Sequence, residues 1–413
     1  MTTPIGIDAL AFSIPRAYLE ASDLAVARGV APEKYARGLG VSRIAIADRD
    51  EDPVTLATNA ARRMLRLSGR RAEEIGMCVV GSETAVDHSK PIASYVHGLL
   101  GLSSRCRVFE TKHACFGATA ALLGATEWLA SGAARGRAAL VIATDIARYE
   151  LGTSGEPTQG AGAVAMLVSE APRLVELEVG RTGSYARDVH DFWRPLHRKD
   201  ALVDGHFSVD CYLGALESAY ADWKTSGSSA TPESLARTCY HVPYGKMASK
   251  AHRRRLSVEG ISETDADARF VTEVAPSLAL SAQIGNVYTA SLYLSLTSLL
   301  AAEADTLEGS RIGMFSYGSG CGAEFFAARV ATGAGAFARR LDLAAPLAGR
   351  RRLTMSEYES LRRADVDADR RAVADLPSAT PPNLHDHAVF LGIDAAERRI
   401  YGAAEPAAAR RVA

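Results

Sequence analysis

Two short segments of the sequence are apolar almost throughout, and they restrict the possible folds more than any other feature. The first is MCVVG at residues 77–81, and the second is AALVIA at residues 138–143. Segments this short and this apolar are typical of strands buried on both faces, as in parallel sheets covered by helices. Helical segments alternate with them, so we expect an α/β layered fold.

The helical segments carry recognisable start and stop signals. DPVTLATNAARRMLRLSG predicts a helix with Asp52 as its N-cap, proline in its first turn and Gly69 at its end. A similar rhythm of helix, strand and glycine-rich turn returns late in the chain, so we expect two related halves. The predicted parts are an N-terminal half at 1–170, a C-terminal half at 171–413, and peripheral helices and loops within the latter at about 340–385.

Composition and charge exclude several classes of function. Of the 413 residues, 47% are apolar and 23% are charged, which is the balance of a folded globular protein. The net charge of -1 argues against general nucleic-acid binding. The sequence has neither a signal peptide nor an apolar stretch of membrane-spanning length, so we expect a cytoplasmic protein without membrane contact. The six cysteines lack metal-ligand or disulfide spacing, so we expect reduced thiols and no metal site.

Cys115 is the first residue that the sequence singles out for chemistry. It follows the strand-like CRVFET and precedes a helix rich in Ala and Gly. A thiol at a helix N-terminus is favoured as a thiolate and therefore as a nucleophile. A buried free cysteine is also a common packing residue. The local sequence leaves both interpretations open.

Three further polar residues have positions that suit catalysis. Glu83 follows an apolar strand, where the clefts of α/β proteins form. His241 lies among apolar residues in CYHVPYGKM, and Asn286 lies at a predicted helix start. Each has a structural alternative: a loop acid, a buried structural histidine and a helix N-cap. The glycine-rich SYGSGCGAE could cradle an anion, although a glycine loop alone is weak support.

The order of these residues along the chain is more specific than any one of them. The chain resembles the 3-hydroxy-3-methylglutaryl (HMG) synthases over residues 3–402. The motifs that carry the resemblance are VVGSETAVDHSKP, ETKHACFGATAAL, SGEPTQGAGAVAML, HDFWRP, DGHFSVDCYLGAL, HVPYGKM, IGNVYTASLYL and FSYGSGCGAEFF. The resemblance implies a thiolase-like five-layer α/β/α/β/α fold of two related halves, and a homodimer.

The resemblance also implies a role for each matching residue. Cys115 would accept an acyl group, Glu83 would remove a proton from the acyl α-carbon, and His241 would bind the acceptor and polarise its carbonyl. Further residues would line or support the acyl and thioester cavity: Asn286, Tyr149, Ser316, Phe116, Gly318, Asp87, Asp145 and Asp191. No cofactor is implied to stay bound; the substrate handle is the phosphopantetheine thioester of an acyl carrier protein or coenzyme A.

Two features favour the branch of the family that serves polyketide β-branching with acyl carrier proteins as partners. Phe116 stands where many members have Tyr, which points to an altered substrate. The segment KMASKAHRRRL supplies a basic cluster for a phosphopantetheine phosphate and an acidic carrier protein. The cluster consists of Lys246, Lys250, Arg253, Arg254 and Arg255. Its two lysines would equally suit coenzyme A.

The sequence therefore predicts a condensation on Cys115. An enolate derived from an acetyl or propionyl donor adds to the β-ketone of a carrier-bound polyketide, and water then cleaves the enzyme thioester. The first alternative is the enzyme of primary metabolism that joins acetyl-CoA to acetoacetyl-CoA. A simple Cys–His acyltransferase and a non-catalytic scaffold with the same fold also stay open.

Overall fold

The structure is a computed structural model that describes residues 3–226, 234–364 and 387–403. The strands are β1 Ile5–Ser13, β2 Ala17–Glu20, β3 Arg43–Ile46, β4 Ile75–Gly81, β5 Arg107–Thr111, β6 Ala138–Ala147, β7 Gly160–Glu170, β8 Val175–Ala186, β9 Phe192–Trp193, β10 Leu202–Val203, β11 Arg237–Tyr240, β12 Arg311–Gly318, β13 Gly322–Val330, β14 Arg351–Arg352, β15 Ala388–Ile393 and β16 Arg399–Ala403. The α-helices are α1 Ala21–Ala27, α2 Pro32–Ala36, α3 Pro53–Ser68, α4 Ile92–Leu100, α5 Gly117–Ala130, α6 Gly205–Thr225, α7 Gly245–Val258, α8 Glu263–Glu273, α9 Ala279–Ile284, α10 Ser291–Leu307, α11 Ala334–Ala338, α12 Ala344–Ala348 and α13 Met355–Ala364.

Nine strands form the main sheet, in the order β11-β12-β13-β8-β1-β7-β6-β4-β5. In the first half, β4 is parallel to β5 and β6, while β7 and β1 continue the sheet antiparallel. In the second half, β11 and β12 are parallel, and β13 and β8 follow antiparallel. A short pairing of β1 with β8, through Gly6↔Glu176 and Ile7↔Val175, joins the two groups of strands.

Helices cover both groups of strands and also separate them. Helix α3 packs on β1, β6 and β7, and α6 packs on β8 and β13. Helices α5 and α10 lie between the groups, because α5 contacts both β4 and β8 and α10 contacts both β1 and β12. The layers are therefore helix, sheet, helix, sheet, helix. This is the thiolase-like five-layer fold that the sequence resemblance implied.

The most strongly patterned elements are those that the sequence predicted. All residues of β4 and β6 are buried, as expected for apolar strands between helix layers. Helix α3 begins after Asp52, whose carboxylate accepts from the Thr55 amide, and the Thr55 hydroxyl accepts from the Asp52 amide in return. Gly69 ends the helix in the left-handed conformation, with φ of 74°.

Other predicted boundaries are less directly comparable with the structure. Strand β7 ends at Glu170 and β8 begins at Val175, and the division into halves at residue 170 stays our proposal. The predicted peripheral segment includes α12 and α13, whereas residues 365–386 lie outside the described residues. Within the described ranges, no helix is both long enough and apolar enough to cross a membrane.

Candidate active site

The predicted catalytic residues follow the carboxyl ends of parallel strands. Glu83 lies two residues after β4, Cys115 lies four residues after β5, and His241 follows β11 directly. Strands β4 and β5 are neighbours with Gly81 opposite Thr111, so the loops that follow them start side by side. The strand order therefore brings Glu83 and Cys115 to one edge of the sheet.

Cys115 and Glu83 are in direct contact. The Cys115 thiol donates a hydrogen bond of 3.4 Å to Glu83 Oε1. Cys115 is 9% exposed, and the Glu83 side chain is 7% exposed. Ala114, just before the thiol, has φ of 39°, a left-handed conformation that costs a non-glycine residue free energy and is common at functional sites.

Burial controls the ionisation of this pair. Loss of hydration, together with the nearby Asp145 carboxylate, raises the pKa of Glu83 to about 8. Burial and the Glu83 carboxylate hold the pKa of Cys115 well above the usual value for a thiol. The thiolate expected from the helix N-terminus is therefore not the resting form. Burial and the neighbouring acids disfavour the thiolate more than the N-terminus of α5 favours it. The resting site holds a thiol beside a weakly acidic carboxyl group.

Asp145, at the end of β6, fixes the loop that carries Glu83. Its Oδ1 accepts from the amides of Glu83 and Thr84, at 2.9 Å each, and from the Ser82 hydroxyl at 3.0 Å. Its Oδ2 accepts from the amide of Thr289 at 3.0 Å. A fully buried acid with this many donors is held rigidly, so Asp145 links the Glu83 loop to the segment that precedes α10.

His241 is buried beside the end of β12. Its amide donates to the Phe315 carbonyl at 2.8 Å, and its carbonyl accepts from the Tyr212 hydroxyl at 2.8 Å. Burial lowers the pKa of His241 to about 3, so the imidazole is neutral. Its Nδ1 is buried and has no hydrogen-bond partner among the described residues. An orphan ring nitrogen of this kind is available to a ligand.

The end of β12 also touches the loop of Cys115. A Cβ on Gly318 would lie 2.5 Å from the His113 carbonyl and 2.7 Å from the Phe116 amide, so the two backbones meet here. Ser316, on the same strand, accepts a hydrogen bond of 2.7 Å from Thr119 of α5. Strand β12 therefore lies between His241 on one side and the Cys115 loop on the other.

Tyr212 packs beside the His241 ring. Its ring centroid lies 6.3 Å from that of His241. The pKa of Tyr212 is raised well above its usual value, mainly by burial and in part by the negative charge that Cys115 can carry. The Tyr212 ring also packs on Tyr317, whose hydroxyl donates to Asp191 at 2.6 Å. Asp191 thus supports this side of the site.

Asn286 and Tyr149 lie on the opposite side, near Tyr288. The Asn286 side-chain carbonyl accepts from the Tyr288 amide and the Ser291 hydroxyl, at 2.9 Å each. Helix α10 begins only at Ser291, so the helix start predicted at Asn286 is wrong and the alternative role as N-cap does not apply; Asn286 orders the turn before the helix instead. Tyr149 packs with Cys115 and Tyr288 in one buried cluster.

A cleft of about 860 Å³ opens beside Glu83 and Ala114. Asp87 lines it but is exposed, and its carboxylate accepts from the amides of Ser89 and Lys90 in its own loop. Arg194 also lines it, and its guanidinium donates to the main-chain carbonyl of Glu83. Sequence reasoning missed Arg194, although the HDFWRP motif contained it.

The basic cluster on α7 divides into two groups. Arg255 is 2% exposed and binds Glu259 at 3.0 Å, the Tyr240 hydroxyl at 3.2 Å and Glu273 at 3.4 Å. The prediction that Arg255 meets a carrier protein or a phosphate is therefore wrong, because the guanidinium lies inside the protein. Arg253 and Arg254 are on the surface and paired with Asp267 and Glu217. Lys246 is exposed and Lys250 is half-buried.

No group of His, Cys, Asp and Glu side chains within the described residues has the arrangement of a metal site.

Two family models match the chain: the hydroxymethylglutaryl-coenzyme A synthase N terminal model over residues 1–172, and the C terminal model over 175–268 and 258–404.

Individual relatives agree with these matches. The hydroxymethylglutaryl-CoA synthase of Enterococcus faecalis is 38% identical over 88% of this chain and 93% of its own length. The solved structure of MvaS in complex with 3-hydroxy-3-methylglutaryl coenzyme A superposes with a TM-score of 0.89 at 45% identity, covering 98% of this chain and all of MvaS. The curacin pathway HMG synthase in complex with holo donor-ACP gives 0.88 at 33% identity, covering 97% and 100%. The chain belongs to the hydroxymethylglutaryl-coenzyme A synthase family, whose members are acyltransferases that form carbon–carbon bonds.

Proposed function

We propose that Cys115 carries the acyl group and that Glu83 removes the proton that makes this group a carbon nucleophile. The single observation that supports this most directly is the 3.4 Å contact between the Cys115 sulfur and the Glu83 carboxylate. An acyl group on that sulfur has its α-carbon one bond beyond the thioester carbon, within the space beside the carboxylate. A base with a raised pKa in a buried site suits the removal of a proton from carbon.

The reaction then has three steps. The Cys115 sulfur attacks the donor thioester, its proton passes by way of Glu83 to the departing donor thiol, and the acyl group becomes bound to the enzyme. Glu83 takes an α-proton, and the resulting enolate carbon bonds to the ketone carbon of the acceptor, whose oxygen is protonated to an alcohol. Water finally cleaves the Cys115 thioester, which frees the thiol and leaves a carboxylate on the product.

His241 is proposed to bind the acceptor carbonyl oxygen. The low pKa keeps the ring neutral, so it donates a hydrogen bond and adds no positive charge. Its Nδ1 is buried and has no partner in the described part of the chain, so a ligand atom there would complete its hydrogen bonding. The Asn286 side chain, whose carbonyl is already engaged, is proposed to donate through its amide group to the thioester oxygens.

For the substrate handle, we propose coenzyme A ahead of the carrier protein expected from the sequence. The higher identity to the coenzyme A-bound MvaS than to the carrier-bound curacin enzyme, 45% against 33%, favours this choice. The surface of α7 favours it too, because Arg253 and Arg254 already bind acids of this chain. Lys246 and Lys250 lie four residues apart on one helix face, which suits a phosphate.

An acyl carrier protein is the second candidate, and the complex of the curacin enzyme with its donor carrier supports it. The acceptor would then be the β-ketone of a carrier-bound polyketide. Whether the substrate is bound to coenzyme A or to a carrier protein, the proposed donor group is acetyl or propionyl. The room beside the Cys115 thiol would decide between these two acyl groups. Phe116, the residue after Cys115, packs edge-on against His113, with ring centroids 5.6 Å apart.

We also propose that the protein is a homodimer. Among the described residues, strand β5 is the end strand of the main sheet, so its outer edge is open for pairing with another strand. Phe109, on this strand, is 38% exposed. A second copy of the chain, adding its own β5 to this edge, would satisfy the strand and cover the phenylalanine.

Intact-mass measurement tests the proposed function. The protein is incubated with acetyl and propionyl groups, each presented on coenzyme A and on a carrier protein. We expect a single acetyl adduct from acetyl-CoA, and its loss in Cys115→Ala but not in Cys106→Ala. Acylation from the carrier protein alone would instead support the second candidate. No adduct from any donor would contradict the enzyme function and favour a scaffold.

A further inference from the structure

Arg194 lies directly against the proposed catalytic base. It follows β9 in a loop of the second half, and its side chain is 17% exposed in the cleft. Its Nη2 donates to the main-chain carbonyl of Glu83 and lies 3.8 Å from Glu83 Oε2. The other carboxylate oxygen, Oε1, is the one that accepts from Cys115. The two oxygens of the carboxylate therefore face different partners.

This arrangement restrains Glu83 from two directions. Its amide donates to Asp145 at 2.9 Å, and its carbonyl accepts from Arg194. The carboxylate lies between the thiol and the guanidinium. A base must be held within a fraction of an ångström of the proton that it removes, and a guanidinium that binds both main chain and side chain supplies such a restraint.

The guanidinium also opposes the effect of burial on Glu83. Burial and Asp145 raise the pKa of Glu83, while Arg194 and the hydrogen bond from Cys115 lower it. The titratable or charged groups that interact with Glu83 include Cys115, Asp145, Tyr149, Tyr288 and Arg194. Arg194 is the member of this set that carries positive charge, so its removal shifts the balance towards the protonated acid.

We propose that Arg194 is a positioning residue for the condensation: it favours the ionised form of the Glu83 carboxyl group and directs it towards the acyl group on Cys115. The inference rests on the base role proposed for Glu83. It assigns a function to the HDFWRP segment, whose arginine contacts Glu83.

The test measures enolisation separately from the rest of the reaction. Exchange of the acetyl-CoA methyl protons with deuterated solvent, catalysed by the full-length protein, is followed against pH. The variants are Arg194→Gln, which removes the positive charge, and Arg194→Lys, which keeps it. Arg198→Gln is the matched control, because Arg198 lines the same cleft but pairs with Glu150 at 3.7 Å.

In Arg194→Gln we expect the pH midpoint of exchange to rise by at least one unit. The rate at pH 7 should then fall about tenfold and recover towards the wild-type rate at high pH, because each unit changes the ionised fraction tenfold. Arg194→Lys should return the midpoint to within half a unit of wild type. Arg198→Gln should follow the wild-type profile.

An unmoved midpoint in Arg194→Gln would overturn the inference, even if the rate fell at every pH. A midpoint in Arg194→Lys as displaced as that in Arg194→Gln would also overturn it. Glu83→Gln distinguishes failure of the underlying function: if that variant still exchanges at the wild-type rate, Glu83 is not the base. If Glu83→Gln is inactive and Arg194→Gln is unchanged, only the role of Arg194 fails.

Discussion

Burial controls the ionisation of Cys115 and Glu83. In water a carboxylate would be ionised and well hydrated, and a weak base towards carbon. Within this site the pKa of Glu83 rises to about 8, so its carboxylate is a stronger base than that of an ordinary glutamate and is still partly present near neutral pH. The thiol stays protonated until a substrate arrives, because Glu83 and the loss of hydration both disfavour the thiolate.

The raised pKa of Glu83 has a consequence for stability. Folded Glu83 holds its proton up to about pH 8, whereas the unfolded chain releases it near the ordinary glutamate pKa of 4.5. The folded state therefore loses stability as the pH rises from 4.5 to 8, and above 8 the penalty is complete. Glu83→Gln removes this titration. We expect its melting temperature to exceed that of wild type by an amount that grows between about pH 5 and pH 8.

Thermal unfolding at several pH values checks this expectation. Glu33→Gln is a suitable control, because Glu33 is an exposed acid in the first turn of α2. A difference between Glu83→Gln and wild type that stays constant across this pH range would contradict the raised pKa.

Sequence and structure agree unevenly at the residue level. The pairing of Cys115 with Glu83 followed from the family resemblance and the order of the strands. The run Arg253–Arg255 misled because consecutive helix residues point about 100° apart, and here the third of them, Arg255, points into the protein. Arg194 was missed because its loop has no periodicity that would place its side chain. Such contacts depend on tertiary structure, which a linear pattern does not contain.

At the level of elements, the approach of β12 to the start of α5 holds the site together. Gly318 is required there because a Cβ would lie 2.5–2.7 Å from main-chain atoms of His113 and Phe116. We expect Gly318→Ala to displace the Cys115 loop, to lower stability by about 1–3 kcal/mol and to slow acylation at least tenfold. Thermal unfolding and the rate of acetyl adduct formation measure these effects.

Gly124→Ala is the matched control for that variant. Gly124 lies within α5, and a Cβ there would meet nothing within 4 Å. Alanine is the better helix former, so the change should stabilise the fold by about 0.5–1 kcal/mol and leave acylation intact. If Gly318→Ala were as active and as stable as Gly124→Ala, the close approach of β12 to the Cys115 loop would not be a feature of the folded protein.

Helix α7 provides a second prediction at this scale. Arg255→Met removes a buried guanidinium that pairs with Glu259 and, alongside Arg269, with Glu273, and we expect a loss of about 3 kcal/mol. Arg254→Met breaks an exposed pair with Glu217 and should change stability by less than about 0.5 kcal/mol. Urea unfolding measures both. Equal effects of the two variants would contradict the buried position of Arg255.

The elements with strong local signals were predictable from the sequence. Helix α3 has a capping acid, an N-terminal proline and a terminal glycine, all of which act within a few residues. The start of α10 was not predictable, because Tyr288 adopts φ of 42° and the Thr289 amide binds Asp145 of a distant strand. A boundary set by a contact across 144 residues of sequence leaves no local signal.

At the scale of the whole molecule, the proposed homodimer rests on the edge of β5. We expect the wild-type protein to sediment as a dimer and Phe109→Lys to sediment as a monomer, because a charge at the strand edge opposes pairing. Val179→Lys is the control, since Val179 is an exposed apolar residue of β8 away from that edge. A monomeric wild type, or a Phe109→Lys variant that remains dimeric, would contradict this interface.

The fold joins two groups of strands, and the loops that follow strands of both groups carry the residues of the proposed active site. Glu83 and Cys115 come from the first half, while His241 comes from the second. Central to this account is the claim that the carboxylate acts on an acyl group held by the sulfur. Removal of the Glu83 carboxylate should therefore leave acylation of Cys115 possible while it blocks condensation.

Peptide mapping of Glu83→Ala after incubation with acetyl-CoA and acetoacetyl-CoA measures this separation. A thiol can lose its proton to solvent but the acetyl methyl group cannot, so we expect the acetyl group to accumulate on the tryptic peptide 113–135, in which Cys115 is the sole cysteine. Condensation product should fall by about a thousandfold. Product formation near the wild-type rate, or an acetyl group on any other peptide, would contradict the claim that Glu83 activates an acyl group on Cys115.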